Sequence, residues 1–165
     1  MKRFRFIRGR RFAGDEKGGT LAELAILVPF LVVMLAAVAE LGRLFQTYTA
    51  LSKSTRAAAR YMSNNSYETK YINQAKQMAL CGKIDCTGID PVVKGLTVDH
   101  IVVTPEFKEG GGGNPITVTF SISGYNFQPL FNLAGLLNAE RLASLPVQPS
   151  TTMYHMWTDP AGAAE

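Results

Sequence analysis

Sixteen consecutive residues without a charge, LAILVPFLVVMLAAVA from Leu24 to Ala39, constrain this chain more than any other feature. Acids bracket the run at Glu23 and Glu40, and Thr20–Ala22 and Leu41–Gly42 extend it to 23 residues. A bilayer core of roughly 30 Å takes ~20 predominantly apolar residues in a helix. Thr20–Gly42 is therefore long enough to span. A removed secretory signal has an apolar region of only about 7–15 residues and then a small-residue cleavage site, whereas here the apolar stretch is longer and runs into more helix-compatible sequence. A soluble core helix of this kind would need burial on all sides, and nothing else in the chain is long or apolar enough to provide it. Pro29 would cost about 3 kcal/mol inside a soluble helix but is tolerated in a membrane helix.

Charge sets the expected orientation. The formal net charge is +4, but residues 1–18 hold seven Lys/Arg and two acids, and the remainder holds ten Lys/Arg and eleven acids. All the basicity lies in the leader, so a nucleic-acid-binding domain with a basic face is not expected. With 47% hydrophobic and 18% charged residues, a disordered chain is excluded. Lys2, Arg3, Arg5, Arg8, Arg10, Arg11 and Lys17 precede the span; Arg43, Lys53, Arg56 and Arg60 follow it. The richer flank faces the cytoplasm. The N-terminus is then inside, and everything after the span lies in an oxidising compartment. Cys81 and Cys86, the only cysteines, fit that placement. A local disulfide around Gly82–Asp85 is expected, with two free thiols as the alternative. Metal is not: two Cys with His100 and His155 form no recognisable zinc spacing.

Three organisational segments follow. Residues 1–18 form a short basic leader. One long helix is expected over 19–62, its membrane span at about 20–42. Beyond Gly42 it turns amphipathic, with Leu44, Tyr48, Leu51, Thr55, Ala58 and Met62 on one face and Arg43, Gln46, Thr47, Lys53, Ser54 and Arg60 on others. Ser63-Asn64-Asn65-Ser66 ends it. An exterior α+β domain is expected over 63–165. In it, Tyr67–Leu80 reads as a second helix stopped by Gly82. Leu96–Val103 and the alternating Ile116–Ser123 read as strands, and Thr151–Trp157 as a weaker third. Pro105, Pro129, Pro146 and Pro149 are expected to confine the strands between them. Glu109–Asn114 reads as a glycine-rich hairpin loop; Pro115 and a strand follow it, which does not suit phosphate binding. The fold class is α+β: a long N-terminal helix, a second helix and a small antiparallel sheet.

Little here could carry catalysis. His100 and His155 stand apart from any nucleophile in a recognisable motif, and Glu106 and Glu109 read as solvated loop charges. No catalytic constellation forms, so neither an enzyme nor a small-molecule substrate is expected, and no cofactor. Glu23 stands out instead. An ionisable residue in a span is a functional-site hypothesis by default, although a helix N-terminal acid at headgroup level would also be favoured by the macrodipole. The whole arrangement is sharper: basic leader, Gly18, Gly19, Glu23, then an apolar helix. That is the layout of a prepilin peptidase site. Cleavage after Gly18 makes Gly19 the new N-terminus and Glu23 the fifth residue. The Glu23 carboxylate then meets the α-amine of a neighbour's Gly19, so that neither charge is buried alone.

The stretch from Gly18 to Met62 resembles the N-terminal segment of TadE-like pseudopilins, minor pilin-like components of the tight-adherence (Flp, type IVc) pilus machinery. The matching residues are Glu23-Leu24-Ala25, Val28-Pro29, Glu40-Leu41-Gly42-Arg43 and Ala59-Arg60-Tyr61. Leu24 and Leu41 stand where that family usually has an aromatic. The resemblance implies a pilin-like fold and a single-pass inner-membrane protein with a periplasmic C-terminal domain, of a kind that can be incorporated into the pilus. Its implied partners are other pilins and pseudopilins, Tad assembly proteins and the prepilin peptidase, and its implied role is pilus biogenesis and surface adhesion. Glu40 and Arg43, three apart on one helix face, read first as an exposed interface anchor worth only tenths of a kcal/mol, and second as a partner contact. The rival to the whole reading is an unprocessed signal-anchored envelope protein whose exterior domain binds a ligand or another envelope protein.

Overall fold

The computed structural model describes residues 16–108, 114–131 and 144–157, with side chains from Gly19 onward. Most of the basic leader and all but the last residue of the glycine-rich loop lie outside the described residues. Contacts divide the chain into two units, Met1–Ala39 and Glu40–Glu165.

In the first unit the described chain is helix throughout. It is the N-terminal part of α1, which runs from Glu16 to Ser63 and continues through Pro29. Leu21, Leu24, Ile26, Leu27, Phe30, Leu31, Val32, Leu35 and Val38 are each more than half exposed. A helix apolar on nearly all sides and uncovered is what a lipid environment stabilises and water does not. Among the described residues, α1 is the one helix long and apolar enough to cross a membrane.

Among the described residues, the second unit has the remainder of α1, then α2 (Thr69–Cys81), a 3-10 turn (Val98–His100) and five short strands. These are β1 (Ile101–Glu106), β2 (Thr117–Ile122), β3 (Asn126–Phe127), β4 (Leu145–Pro146) and β5 (Ser150–Tyr154). β1, β2 and β5 form an antiparallel sheet in the order β1-β2-β5, and β3 pairs with β4. The fold is α+β with small antiparallel sheets. Alternation in β2 sends Val118, Phe120 and Ile122 inward, each 1% exposed or less, and leaves Thr117, Thr119 and Ser121 half-buried on the other face.

Among the described residues, two clusters make the core. Ala58, Ala59 and Met62 of α1 meet Ala75 and Ala79 of α2 over Ile101, Val118 and Phe120 of the sheet. The alanines let two helices and a sheet approach closely. A second cluster gathers Leu51 of α1 with Leu96, Ile122, Tyr125, Phe127 and Val147. Thr55, fully buried on α1, shares a hydroxyl hydrogen bond with Thr151 of β5 at 3.2 Å. The chain after β5 bonds back to the end of α1 and the turn beyond it: Met156 N–H donates to Ser63 O, a carbonyl the helix end leaves over, and His155 Nε2–H to Asn65 O at 2.8 Å. Gly82 caps α2 in the left-handed conformation, φ 78°, its N–H on Met78 O, so the glycine stop has a backbone reason.

Three details differ from the sequence expectation. Strand structure begins at Ile101 rather than Leu96, because Thr97 and His100 close a capping box around the turn Val98–His100. Local side-chain-to-backbone bonding there overrides β-branched propensity. Pro105 does not bound a strand but lies inside β1, paired with Val118; β1 is an edge strand, where proline's missing N–H is tolerated. Ser54, assigned to an outer face of α1, is buried and donates back to Leu51 O at 2.9 Å, while Tyr48, assigned to the inner face, is 48% exposed.

Candidate functional site

The second unit opens on a polar group that is densely bonded among the described residues. Glu40 directly follows the charge-free run, yet only 9% of it is exposed. Its Oε1 accepts the backbone N–H groups of Leu130 at 2.7 Å and Phe131 at 3.0 Å. Arg43 Nη1 bridges both carboxylate oxygens, at 3.2 and 3.0 Å. The guanidinium carbon of Arg43 stands 5.3 Å from the centroid of Phe127, within cation–π range. One carboxylate thus takes up the charge of an arginine one turn on and two amides from a loop some ninety residues away. The pair is not the exposed helix-surface bridge that its spacing suggests. Loop amides carry no sequence signature, so nothing in the chain marks Leu130 and Phe131 as partners of Glu40.

Beside this clasp an open groove of about 740 Å³ runs between Arg43, Thr47 and Ala50 of α1 and the loops holding Lys94, His100 and Tyr125. Its described lining has no carboxylate, serine or cysteine. His100 is occupied structurally: its Nδ1 accepts Thr97 N–H at 3.1 Å, and its ring meets Tyr125 edge-on at 6.0 Å. The Tyr125 hydroxyl donates to Lys94 O at 3.2 Å; burial pushes its pKa up, with Arg43 pulling the other way. Among the described residues, no group of three His, Cys, Asp or Glu could hold a metal ion.

The remaining sequence candidates lie apart from the clasp. Gly18 and Gly19 fall in the first turn of α1. Around Gly19 a side chain would meet nothing within 4 Å. Glu23 is exposed and has no hydrogen-bond or ion-pair partner among the described residues. Cys81 and Cys86 are joined by a disulfide with Cα atoms 5.8 Å apart, closing a loop just past α2. Within that loop, Asp85 accepts both the hydroxyl of Thr87 at 2.7 Å and its N–H at 2.9 Å.

Comparison with known proteins locates the family signal on α1. The family model of TadE-like proteins matches residues 18–60, the stretch carrying Gly18, Gly19, Glu23, Glu40 and Arg43. This stretch is TadE-like. No curated protein and no solved structure matches the chain.

Proposed function

We propose that this protein is a minor pilin-like component, a pseudopilin, of a tight-adherence (Flp, type IVc) pilus assembly and secretion system, acting in pilus biogenesis and surface adhesion. The observation that carries the reading is the match over residues 18–60: it falls on a helix that combines an uncovered apolar belt with a Gly-Gly pair and a glutamate four residues on. In this reading residues 20–42 hold the chain in the bacterial inner membrane, the basic N-terminus stays in the cytoplasm, and residues 63–165 fold in the periplasm. The partners are other pilins and pseudopilins, Tad assembly proteins and the prepilin peptidase.

Processing follows from the chemistry of the first turn. A peptidase needs an extended backbone, and glycine is among the poorest helix formers, so unwinding α1 around Gly18–Gly19 costs little. After the cut, Gly19 carries a positive α-amine. Glu23, exposed and without a partner among the described residues, is then the natural counter-charge for the Gly19 amine of a neighbouring subunit. The two charges would be buried together on assembly rather than singly.

Intact mass of the protein from its native host tests the reading. A mature chain beginning at Gly19 supports it; a chain that keeps its leader beside an active peptidase overturns it in favour of an unprocessed signal-anchored envelope protein. Gly18→Val should leave the leader attached on a gel. Glu23→Ala should still be cleaved but fail to support surface pili; normal piliation would make Glu23 only a headgroup-level helix acid.

A further inference from the structure

The clasp at Glu40 holds an apolar tip. Leu130 is 72% exposed and Phe131 49% exposed, although their backbones are fastened to α1 at a residue adjoining the charge-free run. Within the two turns of α1 that begin at Glu40, Leu41, Phe45 and Tyr48 are also exposed, at 65%, 71% and 48%. Each of these large apolar side chains stands uncovered in the second unit. Water does not stabilise large apolar side chains left uncovered, and the adjacent pair Leu130 and Phe131 is the kind of surface that marks an interaction.

The polar groups of the tip identify the partner. Irregular backbone that meets acyl chains, where no water is available, needs its polar groups satisfied from within the protein. Here the N–H groups of Leu130 and Phe131 both end on Glu40 Oε1, and Arg43 neutralises that carboxylate. The clasp is therefore charge-neutral and presents apolar side chains outward while keeping its amides bonded inward. Tyr48 adds an amphipathic ring of the type enriched where protein meets headgroups. Lys94 lines the neighbouring groove, but the clasp itself leaves no unpaired positive charge to select anionic lipid.

We propose that Leu130 and Phe131, held by Glu40, form a second membrane contact that inserts at the boundary between headgroups and acyl chains of the same bilayer that α1 crosses. The proposal rests on the reading of residues 20–42 as a membrane span. In it, Glu40 is a positioning residue.

Tryptophan depth measurements test this with the full chain in phosphatidylcholine vesicles. In a Trp157→Phe background, one tryptophan is placed at Phe131, at Val32 within the span, or at Tyr154, which is 73% exposed on the sheet. Each is challenged with acrylamide from the water and with lipids brominated at shallow or deep acyl positions. The Phe131→Trp protein should emit to the blue of the Tyr154→Trp protein, be quenched most by shallow bromines, and show a several-fold lower acrylamide constant. Adding anionic lipid should leave that pattern unchanged. Glu40→Gln, which keeps the shape but weakens the acceptor, should raise the acrylamide constant at position 131 and leave that at position 154 unmoved. If the tryptophan at 131 meets acrylamide as freely as that at 154 while the one at 32 is lipid-quenched, the second contact is overturned and the span stands. If the tryptophan at 32 escapes lipid quenching, the span reading fails and takes the proposal with it. Protection at 131 without lipid quenching, lost as protein is diluted in lipid, would assign the tip to a second copy of the chain and also overturn the proposal.

Discussion

Glu23 and Glu40 bracket the same charge-free run on the same helix and live under opposite conditions. Glu23 is exposed with no partner among the described residues. Glu40 is buried and receives three donor groups, two of them backbone amides. The contrast separates two uses of a carboxylate. One completes its own domain, and removing it should be felt as lost stability. The other leaves its valence open, and removing it should be felt only when something else arrives. Spacing along the helix cannot make that distinction, because it depends on what the loops bring.

The largest expected effect follows. Glu40→Ala takes the acceptor from the amides of Leu130 and Phe131 and releases Arg43. A hydrogen bond to a charged group is worth about 1.5–3 kcal/mol, and because Leu130 and Phe131 are exposed, water takes up part of what the freed amides lose. Arg43 is 40% exposed, so its own loss is largely screened by water. The net expectation is a destabilisation of about 2–3 kcal/mol, read as a lower Tm from the near-ultraviolet circular dichroism of the full chain in neutral detergent. Glu23→Ala should stay within about 0.5 kcal/mol of the parent in the same assay. Equal effects from the two substitutions would break the comparison.

How legible each region was in the sequence follows the same division. The span, the amphipathic turns after it, the glycine stop of α2 and the alternation of β2 are periodic or local signals, and one chain carries them in full. Leu51, Ala58 and Met62 could be placed on a buried face because a helix returns to the same side every three or four residues. The turn at Val98–His100 could not be placed, since a capping box between Thr97 and His100 competes with the strand preference of the same residues. Glu40 shows the limit most clearly. Its i,i+3 partner was readable, but the amides of Leu130 and Phe131 and the ring of Phe127 reach it through tertiary folding that no short pattern encodes. The groove lining is equally non-local, assembled from α1 and two separate loops.

Two smaller substitutions sharpen the contrast from within the clasp. Arg43→Lys keeps the positive charge but loses the planar group that bridges both oxygens of Glu40 and stacks on Phe127. Lysine is a point charge without that fork, so about 1 kcal/mol of the same domain's stability should go. If Arg43→Lys matches Glu40→Ala, the arginine rather than the amides dominates. Gly42→Ala should move stability the other way. A Cβ there meets nothing within 4 Å, and alanine outranks glycine inside a helix by roughly 0.5–1 kcal/mol. A Tm below that of the parent would mean that α1 needs a bare backbone at Gly42 for a contact outside this chain.

Asp85 separates burial from hydrogen bonding, the two variables that change together between Glu23 and Glu40. It is fully exposed, yet the hydroxyl and N–H of Thr87 both donate to it, and these bonds hold its carboxyl below the ordinary carboxylate range. The largest cause is the side-chain bond. Thr87→Val removes that donor, keeps the β-branched shape and leaves the backbone N–H in place. The Asp85 pKa, followed by carbon-13 NMR of its carboxyl, should therefore rise toward the usual value without reaching it. The sign for stability is fixed by the direction of the shift. A carboxyl whose pKa is lower folded than unfolded contributes above the unfolded pKa, and that contribution is lost as pH falls through the folded one. The parent should thus lose a small increment on acidification below about pH 4 that Thr87→Val largely lacks. An unchanged Asp85 pKa in the variant would mean that the backbone amide alone tunes an exposed carboxylate. The amides of Leu130 and Phe131 would then suffice to explain how firmly Glu40 is held, with Arg43 secondary.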